Sequence, residues 1–419
     1  MKETLIIENF GGLKKMEFEF KRVNVLIGPQ ASGKSISVKL LYFFKNFPGE
    51  MLKAIENGES KRELDSKQKE TFNTYFPKES WPKGQFKIQY QVGTTWISIS
   101  RKASKPLAFS YSENLKNLII KGRRFFKEEQ KKIQQEPRAS SYKVSRNTRI
   151  RFNECIRHEI GDIGTYNEFF VPAGRSFFAN VQSSIFSFLS NNKSLDPFLI
   201  EFGSFYENFK RWANDRDDDP RNKKKNQAFD KIASEIISGS FQREKDKDYI
   251  FHDDSRKVNL ANASSGQQET LPLILVLKTL GNFTFSNSGA TIYIEEPEAH
   301  LFPTAQKKVV QLLARTFNSS KGRFQIIVTT HSPYILSSFN NLLEAGKIIS
   351  ESPQKTDKVH EVISADEVIM PEELVAYSIF RGQKKVLIDS ETSLISSNAL
   401  DDVSDEIAED FGKLLDIEF

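Results

Sequence analysis

The stretch that most constrains this chain is VNVLIGPQASGKS, residues 23–35, near its start. A short apolar run ends at Gly28, and the residues after it complete the pattern G-x-x-x-x-G-K-[ST]. Such a loop closes its backbone N–H groups around a phosphate, because glycine tolerates the dihedral angles and the close approach that this requires. The helix behind the loop directs its positive end at the same anion. The pattern therefore predicts a phosphate-binding loop formed by Gly28, Pro29, Gln30, Ala31, Ser32, Gly33, Lys34 and Ser35.

Two side chains of this loop have separate expected roles. Lys34 would reach the β- and γ-phosphates of a nucleotide, and Ser35 would supply an oxygen ligand to magnesium. A chance glycine-rich turn before a helix is the alternative. The apolar strand before the loop and the helical sequence SVKLLYFF after it favour the phosphate loop.

Charge is distributed unevenly along the 419 residues, although the formal net charge is only +5. Residues 113–158 contain 13 Lys/Arg against 5 Glu, an excess of +8. Residues 364–419 contain 14 Asp/Glu against 4 Lys/Arg, an excess of −10. Two interpretations stay open: a basic surface for DNA contact together with an acidic tail, or ordinary solvated helix faces.

Composition also bears on location. Cys155 is the single cysteine, so an intramolecular disulfide and a CxxC metal site are excluded. No apolar run approaches the roughly 18 residues of a membrane-spanning helix, and the start of the chain lacks the apolar segment of a signal peptide. We expect a soluble, cytoplasmic protein without a membrane partner.

Shifts in periodicity and composition predict four parts of the chain. The first holds the phosphate loop and a β subdomain, the second is a helical and partly basic insertion, the third alternates helix and strand, and the fourth is an acidic α/β tail. Their predicted bounds are residues 1–112, 113–240, 241–350 and 351–419. In the tail, strands are expected at Val359–Ile363 and Lys385–Ile388, and a closing helix at Asp402–Leu415.

The predicted strand Ile292–Glu296 ends in two carboxylates. Because side chains alternate along a strand, the two acids would project differently at its carboxyl end. Phosphoryl transfer needs a metal that neutralises charge and a group that orients or deprotonates water. We assign Glu295 to magnesium and Glu296 to the attacking water; two acids that merely cap a strand end are the alternative.

Two weaker signals flank this strand. His331 follows the apolar strand Gln325–Thr330 and could hydrogen-bond a γ-phosphate oxygen, although a structural histidine would look the same. Serine and glycine just before a helix can form a second anion site, although an ordinary serine N-cap is the alternative. The residues of this second signal are Ser264, Ser265, Gly266 and Gln267.

In their order along the chain, these four signals resemble the Walker A loop, signature, Walker B strand and switch histidine of the ABC-type ATPases. The block EEPEAHLFP, residues 295–303, is the most specific piece. It is similar to the SMC/RecF/OLD-like group rather than to transporters, which usually carry DEPTSALD-like text. Glu295 stands in the place of the Walker B aspartate, a departure also typical of the OLD-like group. The resemblance covers residues 1–50 and 240–345 well and the rest loosely.

The resemblance implies an α/β fold: an ABC-type P-loop ATPase head with a mixed or parallel central sheet, an antiparallel β subdomain and a helical insertion. It implies that the chain binds ATP and magnesium and hydrolyses ATP, with Lys34, Glu296 and His331 as catalytic residues. It also implies a head-to-head homodimer or higher homo-oligomer. The signature of one subunit would then act on the nucleotide held by the other, so that ATP joins two subunits and hydrolysis or product release separates them.

Two functions stay open. Compact OLD-like ATPases resemble subunits of bacterial anti-phage systems, which makes a switch that controls a separate nuclease-like effector the first hypothesis. The residues after His331 lack a convincing D-x-D cluster, so a fused TOPRIM nuclease is not expected. The alternative is a RecF- or SMC-like ATPase of DNA repair or chromosome maintenance. A scaffold that uses ATP only structurally fits less well, because it has no need of Glu296 and His331.

One further segment carries two interpretations. The predicted strand Phe169–Val171 is followed by Pro172, Ala173, Gly174 and Arg175, which is similar to a PA.R element of OLD-like ATPases. Arg175 would contact the nucleotide or a neighbouring subunit, or it would simply pack at the end of the strand.

Overall fold

The structure is a computed structural model. It describes residues 1–102, 105–134, 141–180, 195–215, 223–245, 247–282, 288–319 and 322–396, together with residues 409, 410 and 413. The described strands are β1 (Glu3–Phe10), β2 (Leu13–Phe20), β3 (Val23–Ile27), β4 (Phe86–Val92), β5 (Thr95–Arg101), β6 (Ala108–Tyr111), β7 (Asn167–Val171), β8 (Ser240–Glu244), β9 (Lys247–Phe251), β10 (Lys257–Asn259), β11 (Ala290–Glu295), β12 (Phe324–Thr330), β13 (Leu374–Phe380) and β14 (Gln383–Val386).

The described α-helices are α1 (Lys34–Lys45), α2 (Phe47–Glu56), α3 (Lys61–Tyr75), α4 (Glu113–Gln134), α5 (Ser141–Ile160), α6 (Phe177–Asn180), α7 (Pro197–Asp215), α8 (Lys223–Ile237), α9 (Ser265–Asn282), α10 (Pro303–Asn318), α11 (Pro333–Glu351) and α12 (Thr356–His360). None of the helices in these described ranges is long and apolar enough to cross a membrane.

A six-stranded sheet with the order β14-β13-β3-β12-β11-β7 forms the centre of the molecule. Its strands from β13 to β7 pair in parallel, and β14 joins antiparallel at one edge. Every residue of β3, β11 and β12 is buried, as expected for parallel strands that are covered on both faces. The predicted mixed central sheet is therefore confirmed.

Alternation along these strands divides the apolar residues between two cores. In β3, Val25 packs into the core formed largely with α7 to α11, whereas Leu26 packs into the core of the N-terminal sheet. In β12, Val328 and Ile327 divide between the same two cores. The sheet thus separates two helix- and sheet-covered layers, which is why its strands read as continuous apolar runs.

The predicted antiparallel β subdomain is present as a five-stranded sheet with the order β2-β1-β4-β5-β6. The β1–β2 turn contains Gly11 and Gly12, which have φ angles of 59° and 80°. A second, three-stranded antiparallel sheet with the order β10-β9-β8 precedes α9. The long helices α4 and α5 lie in the predicted basic insertion, and they pack against each other and against α2.

The tail departs from its prediction. The strand expected at Val359–Ile363 is wrong: Thr356–His360 is helical and a turn follows. Val362 is 81% exposed, so this segment lacks the buried partner that a strand requires. Instead, the unpredicted strand β13 lies beside β3, with Ala376 opposite Val25.

Other expected elements differ in extent. The strand predicted at Lys385–Ile388 begins two residues earlier, as β14. Helix α3 was not predicted, although a capping box between Ser60 and Glu63 fixes the start of this helix. The helical insertion predicted for residues 113–240 also contains α6 and α7 in its described parts. The closing helix at residues 402–415 lies outside the described residues except at positions 409, 410 and 413.

A candidate nucleotide-binding site at the phosphate loop

The loop between β3 and α1 has the backbone that its sequence predicts. Gly28 and Gly33 have φ angles of 155° and 100°, in the region that L-residues rarely adopt. A Cβ atom on Gly28 would collide with the carbonyl oxygen of Ile379 in β13, and one on Gly33 would lie 2.5 Å from the Leu13 side chain. Neighbouring segments therefore press so closely on the loop that glycine is required at both positions.

Lys34, the first residue of α1, turns its ammonium group back into the loop. Its Nζ donates hydrogen bonds to the carbonyl oxygens of Gly28 at 2.7 Å and Pro29 at 2.8 Å. Burial lowers the pKa of Lys34, while the nearby carboxylates of Glu296 and Glu298 act in the opposite direction. The loop thus holds a cation at the place where the sequence predicts the phosphates.

Ser35, which follows β3, meets Glu295 at the end of β11, although β12 lies between these two strands in the sheet. The Ser35 hydroxyl donates a hydrogen bond to the Glu295 carboxylate, and the backbone N–H of Ala173 lies 3.4 Å from the second carboxylate oxygen. Glu295 is buried, at the end of β11. Hydroxyl and carboxylate oxygens are the hard donors that magnesium prefers, so this pair fits the predicted magnesium site.

No group of three or more His, Cys, Asp or Glu residues within the described ranges could hold a metal ion by itself. Magnesium usually keeps several waters and is held by one or two protein ligands plus phosphate oxygens. The pairing of Ser35 with Glu295 therefore fits a metal that would arrive with a nucleotide.

Glu296 and His331 face each other across the same opening. His331 Nε2 lies 3.4 Å from Glu296 Oε1, and both side chains are partly exposed. Glu296 has a φ angle of 45°, an unusual conformation for a non-glycine residue, and its N–H donates to the carbonyl of Thr329 at 2.9 Å. Such strain at a strand end is typical of functional positions.

Glu298 belongs to the site although the sequence did not single it out. Its Oε1 accepts hydrogen bonds from the His331 backbone N–H at 2.6 Å and from the Thr330 hydroxyl at 2.8 Å. Its second oxygen is buried and has no hydrogen-bond partner among the described residues. Glu298 therefore fixes the segment that carries His331; its place in the EEPEAH block was the available signal.

Arg175 lies in the interior of the protein. Of its two interpretations, contact with a nucleotide or neighbouring subunit and packing at the strand end, its position favours packing. Its side chain is fully buried and donates to the carbonyl oxygens of Pro172 at 2.9 Å and Glu295 at 2.7 Å. It also donates to the carbonyl oxygens of Glu296 at 3.0 Å and Glu269 at 2.9 Å. The residue ties the segment after β7 to the end of β11 and the start of α9.

The predicted signature is built around the start of α9. The Ser264 hydroxyl lies 3.1 Å from Gln267 Oε1, and Gln267 Nε2 donates to the carbonyl of Ile237 at 2.6 Å. A Cβ atom on Gly266 would lie 2.8 Å from the carbonyl oxygen of His300, so the glycine permits close contact with the segment after β11.

A cavity of about 330 Å³ lies over the phosphate loop. Within the described parts of the chain, the predicted signature contributes nothing to its lining. The structure therefore brings together the loop, Glu296 and His331, while the signature stands apart from them. The lining residues are Gly11, Gln30, Ala31, Ser32, Gly33, Lys34, Ser35, Ile36, Glu296, Thr329 and His331.

A phosphate loop at the carboxyl end of a central β-strand, with acidic residues at the carboxyl end of another parallel strand of the same sheet, defines a P-loop nucleotide hydrolase. The family model described as "AAA ATPase domain", AAA_15, matches residues 1–336, and the chain belongs to this family. The chain is accordingly an ATPase that binds ATP, as the resemblance implied.

Several solved structures are similar at low identity. The SMC head domain from Thermotoga maritima is 11% identical, with 92% of this chain and 97% of that chain covered and a TM-score of 0.38. The SMC head domain of Pyrococcus furiosus bound to the C-terminal domain of ScpA is 12% identical, with coverage of 97% and 99% and a TM-score of 0.39. The recombination mediator RecF with ATP is 11% identical, with coverage of 92% and 99% and a TM-score of 0.36. No curated protein matches the chain.

Proposed function

We propose that this chain is the ATP-binding and ATP-hydrolysing switch subunit of a bacterial anti-phage defence complex. It dimerises on ATP and controls a separate effector such as a nuclease. The observation that carries the switch is the position of the signature, Ser264–Gln267, outside the phosphate cavity of its own chain. A signature that does not reach its own nucleotide is suited to the nucleotide of a second copy.

Exposed aromatic side chains in the segments that follow β11 and β12 support a second copy on this surface. Phe302 is 75% exposed and Tyr334 is 52% exposed, and each begins or precedes a helix next to the site. His300, whose carbonyl packs against Gly266, is also exposed. Exposed aromatics are typical of interface centres, and a head-to-head partner would cover them.

The proposed hydrolysis divides the work among the residues of the cavity. Lys34 binds the β- and γ-phosphates, and Ser35 with Glu295 would hold magnesium, which supplies charge neutralisation when it is bound. Glu296 orients the attacking water and accepts its proton. His331, 3.4 Å from Glu296, hydrogen-bonds the γ-phosphate and so responds to its loss.

Control of an effector follows from the linkage between ATP and dimerisation. A nucleotide that binds between two copies has a higher affinity for the dimer than for the monomer, and this difference stabilises the dimer. Hydrolysis of the nucleotide removes that stabilisation. The defence role and the OLD-like character are supported by the resemblance of residues 295–303, EEPEAHLFP. A cytoplasmic location belongs to the same proposal.

Light scattering with and without ATP tests the dimer. In the Glu296→Gln background, which slows hydrolysis, ATP should convert monomers to dimers. Adding Ser264→Arg should prevent this, because a bulky cation would occupy the signature. Ser66→Arg, an exposed position on α3, is the matched control and should leave the dimer intact. A dimer that forms equally well with Ser264→Arg would contradict the proposal.

An infection assay tests the defence role. Cells that express the chain together with its neighbouring genes should resist phage, and Lys34→Ala should abolish the resistance because it removes nucleotide binding. Resistance that survives Lys34→Ala, or that never depends on the chain, would argue against a defence switch.

The second candidate is a RecF- or SMC-like ATPase that acts on DNA, and the insertion favours it. Basic side chains are exposed along α4 and α5, although Glu128 and Glu129 neutralise part of the charge through Arg151 and Lys132. DNA affinity through this face should fall with salt at a log–log slope of roughly −0.9 per phosphate contacted. ATP turnover that DNA stimulates would favour this candidate. The exposed basic residues include Lys121, Arg124, Lys127, Lys131, Arg146 and Arg149.

A further inference from the structure

A second cavity adjoins the phosphate cavity on the side of the C-terminal hairpin. It has a volume of about 240 Å³ and lies between the β1–β2 turn, the outer edge of the phosphate loop and the β13–β14 turn. The two cavities share Gly11 and three loop residues, so they are contiguous. The residues that belong to this second cavity alone are Gly12, Pro29, Phe380, Arg381 and Gly382.

The β13–β14 turn is held firmly in this position. β13 pairs in parallel with β3, with Ser378 opposite Ile27, immediately before the loop begins. The Tyr377 hydroxyl donates to the carbonyl of Glu19 in β2 at 2.7 Å, and Lys384 Nζ donates to the carbonyl of Glu17. The hairpin is thus anchored to both sheets that flank the loop.

Three glycines line the cavity where the two turns approach each other. Gly382 has a φ angle of 72°, and a Cβ atom there would lie 3.6 Å from the carbonyl oxygen of Gly12. Gly11 and Gly12 add no side chain on the opposite wall. The phosphate-loop residues 29–32 also line the cavity, and Phe380 and Arg381 supply its aromatic and cationic side chains.

These two side chains have the chemistry of a nucleoside site. Phe380 is 52% exposed, and the Arg381 guanidinium lies 5.0 Å from the centre of its ring. An aromatic face stacks on a purine base, and a guanidinium can donate to acceptor atoms of the base or the ribose. The exposed Phe380 ring lies beside the phosphate loop, so the base of a bound nucleotide could stack on it and cover it.

We propose that this second cavity holds the nucleoside of ATP, with Phe380 stacked on the base and Arg381 donating to its polar edge. The phosphates then lie in the adjoining cavity around Lys34. Nucleotide recognition would extend beyond the sequence motifs to a hairpin more than 340 residues further along the chain.

The test separates the nucleoside from the phosphates by comparing ATP with inorganic tripolyphosphate, each as its magnesium complex. Phe380→Ala should raise the dissociation constant for ATP about 5- to 150-fold, the range that loss of one stacked base implies. The dissociation constant for tripolyphosphate should stay within about twofold. Phe380→Trp, which keeps an aromatic face, should bind ATP as the unchanged chain does.

Val386→Ala is the matched control, because Val386 is exposed on the same hairpin and outside the cavity. If Phe380→Ala fails to fold, Phe380→Leu keeps the apolar bulk without the aromatic face and is measured instead. Unchanged ATP binding in the Phe380 variant would overturn the proposal. So would equal weakening of ATP and tripolyphosphate, which would indicate a distorted phosphate loop. Lys34→Ala should weaken both ligands, so a failure of the phosphate loop itself is recognised separately.

Discussion

Arg175 and Glu269 hold each other through contacts in both directions. Arg175 Nε donates to the Glu269 carbonyl at 2.9 Å, and the Glu269 carboxylate accepts from the Arg175 backbone N–H at 2.9 Å. The same guanidinium reaches the backbone of Glu295 and Glu296. One buried side chain therefore joins the helix that begins at the predicted signature to the strand end that carries the two acids Glu295 and Glu296.

Replacing Arg175 by Met should destabilise the fold strongly. Removing one member of a buried ion pair leaves an uncompensated charge, which costs about 3–5 kcal/mol. Urea unfolding measures this, with the exposed Arg62→Met on α3 as a control that should stay within about 0.5 kcal/mol of the unchanged chain. A small loss in Arg175→Met would mean that Glu269 is solvated or protonated once the arginine is gone.

Glu296→Gln should abolish most ATP turnover while ATP still binds. The amide keeps the shape but cannot accept a proton, and loss of a general base typically costs about 10²–10⁴-fold in rate. Steady-state phosphate release gives the rate, and equilibrium binding of ATP supplies the control. Turnover within threefold of the unchanged chain would show that another group activates the water.

Glu298→Ala should lower turnover by misplacing His331. The change removes the acceptor of the His331 N–H and the Thr330 hydroxyl, each worth about 1–3 kcal/mol when left buried and unpaired. Glu298→Gln retains an acceptor oxygen and should therefore recover much of the rate. If only the negative charge of Glu298 mattered, the neutral glutamine would not recover it. Rates of phosphate release for the two variants, compared at saturating ATP, distinguish these cases.

Glu168 should make stability fall as pH rises through neutrality. Burial raises the pKa of Glu168 to about 7, even though Lys45 and the Tyr293 hydroxyl act in the opposite direction. Between pH 4.5 and pH 7 the folded chain therefore keeps a proton that the unfolded chain has released. The contribution of Glu168 to the free energy of unfolding is fully present below pH 4.5 and is lost as the pH rises to 7.

Urea unfolding at pH 5 and pH 8 checks this expectation. The free energy of unfolding at pH 5 should exceed that at pH 8. Glu168→Gln should reduce this difference by about 1–3 kcal/mol, since a neutral amide does not titrate. Glu79→Gln, at an exposed acid, is the control and should leave the difference unchanged. If the stability of the Glu168 variant depended on pH as strongly as that of the unchanged chain, Glu168 would not be the group responsible.

Local sequence patterns predicted the parts of the site that lie next to each other along the chain. The loop from Gly28 to Ser35 and the acids Glu295 and Glu296 were predicted because their chemistry demands particular residues at particular spacings. The alternation of helix and strand likewise predicted the mixed sheet. The roles of these residues in catalysis stay predictions until the variants above are measured.

Contacts between distant segments could not be predicted in the same way. Nothing in the local pattern of Leu374–Phe380 shows that this strand pairs with β3, or that Phe380 then stands beside the phosphate loop. The strand expected at Val359–Ile363 was wrong for the related reason that β-branched residues form a strand only where an edge is free to pair.

The sequence by itself determined that the chain holds a phosphate loop on a buried strand and belongs to an ATPase family, because these depend on short-range chemistry. Only the tertiary structure decided where Arg175, Glu298 and the β13–β14 turn stand. Their places follow from burial and strand pairing among residues far apart in the chain. The balance of those long-range contacts is a property of the packed molecule, and no single segment encodes it.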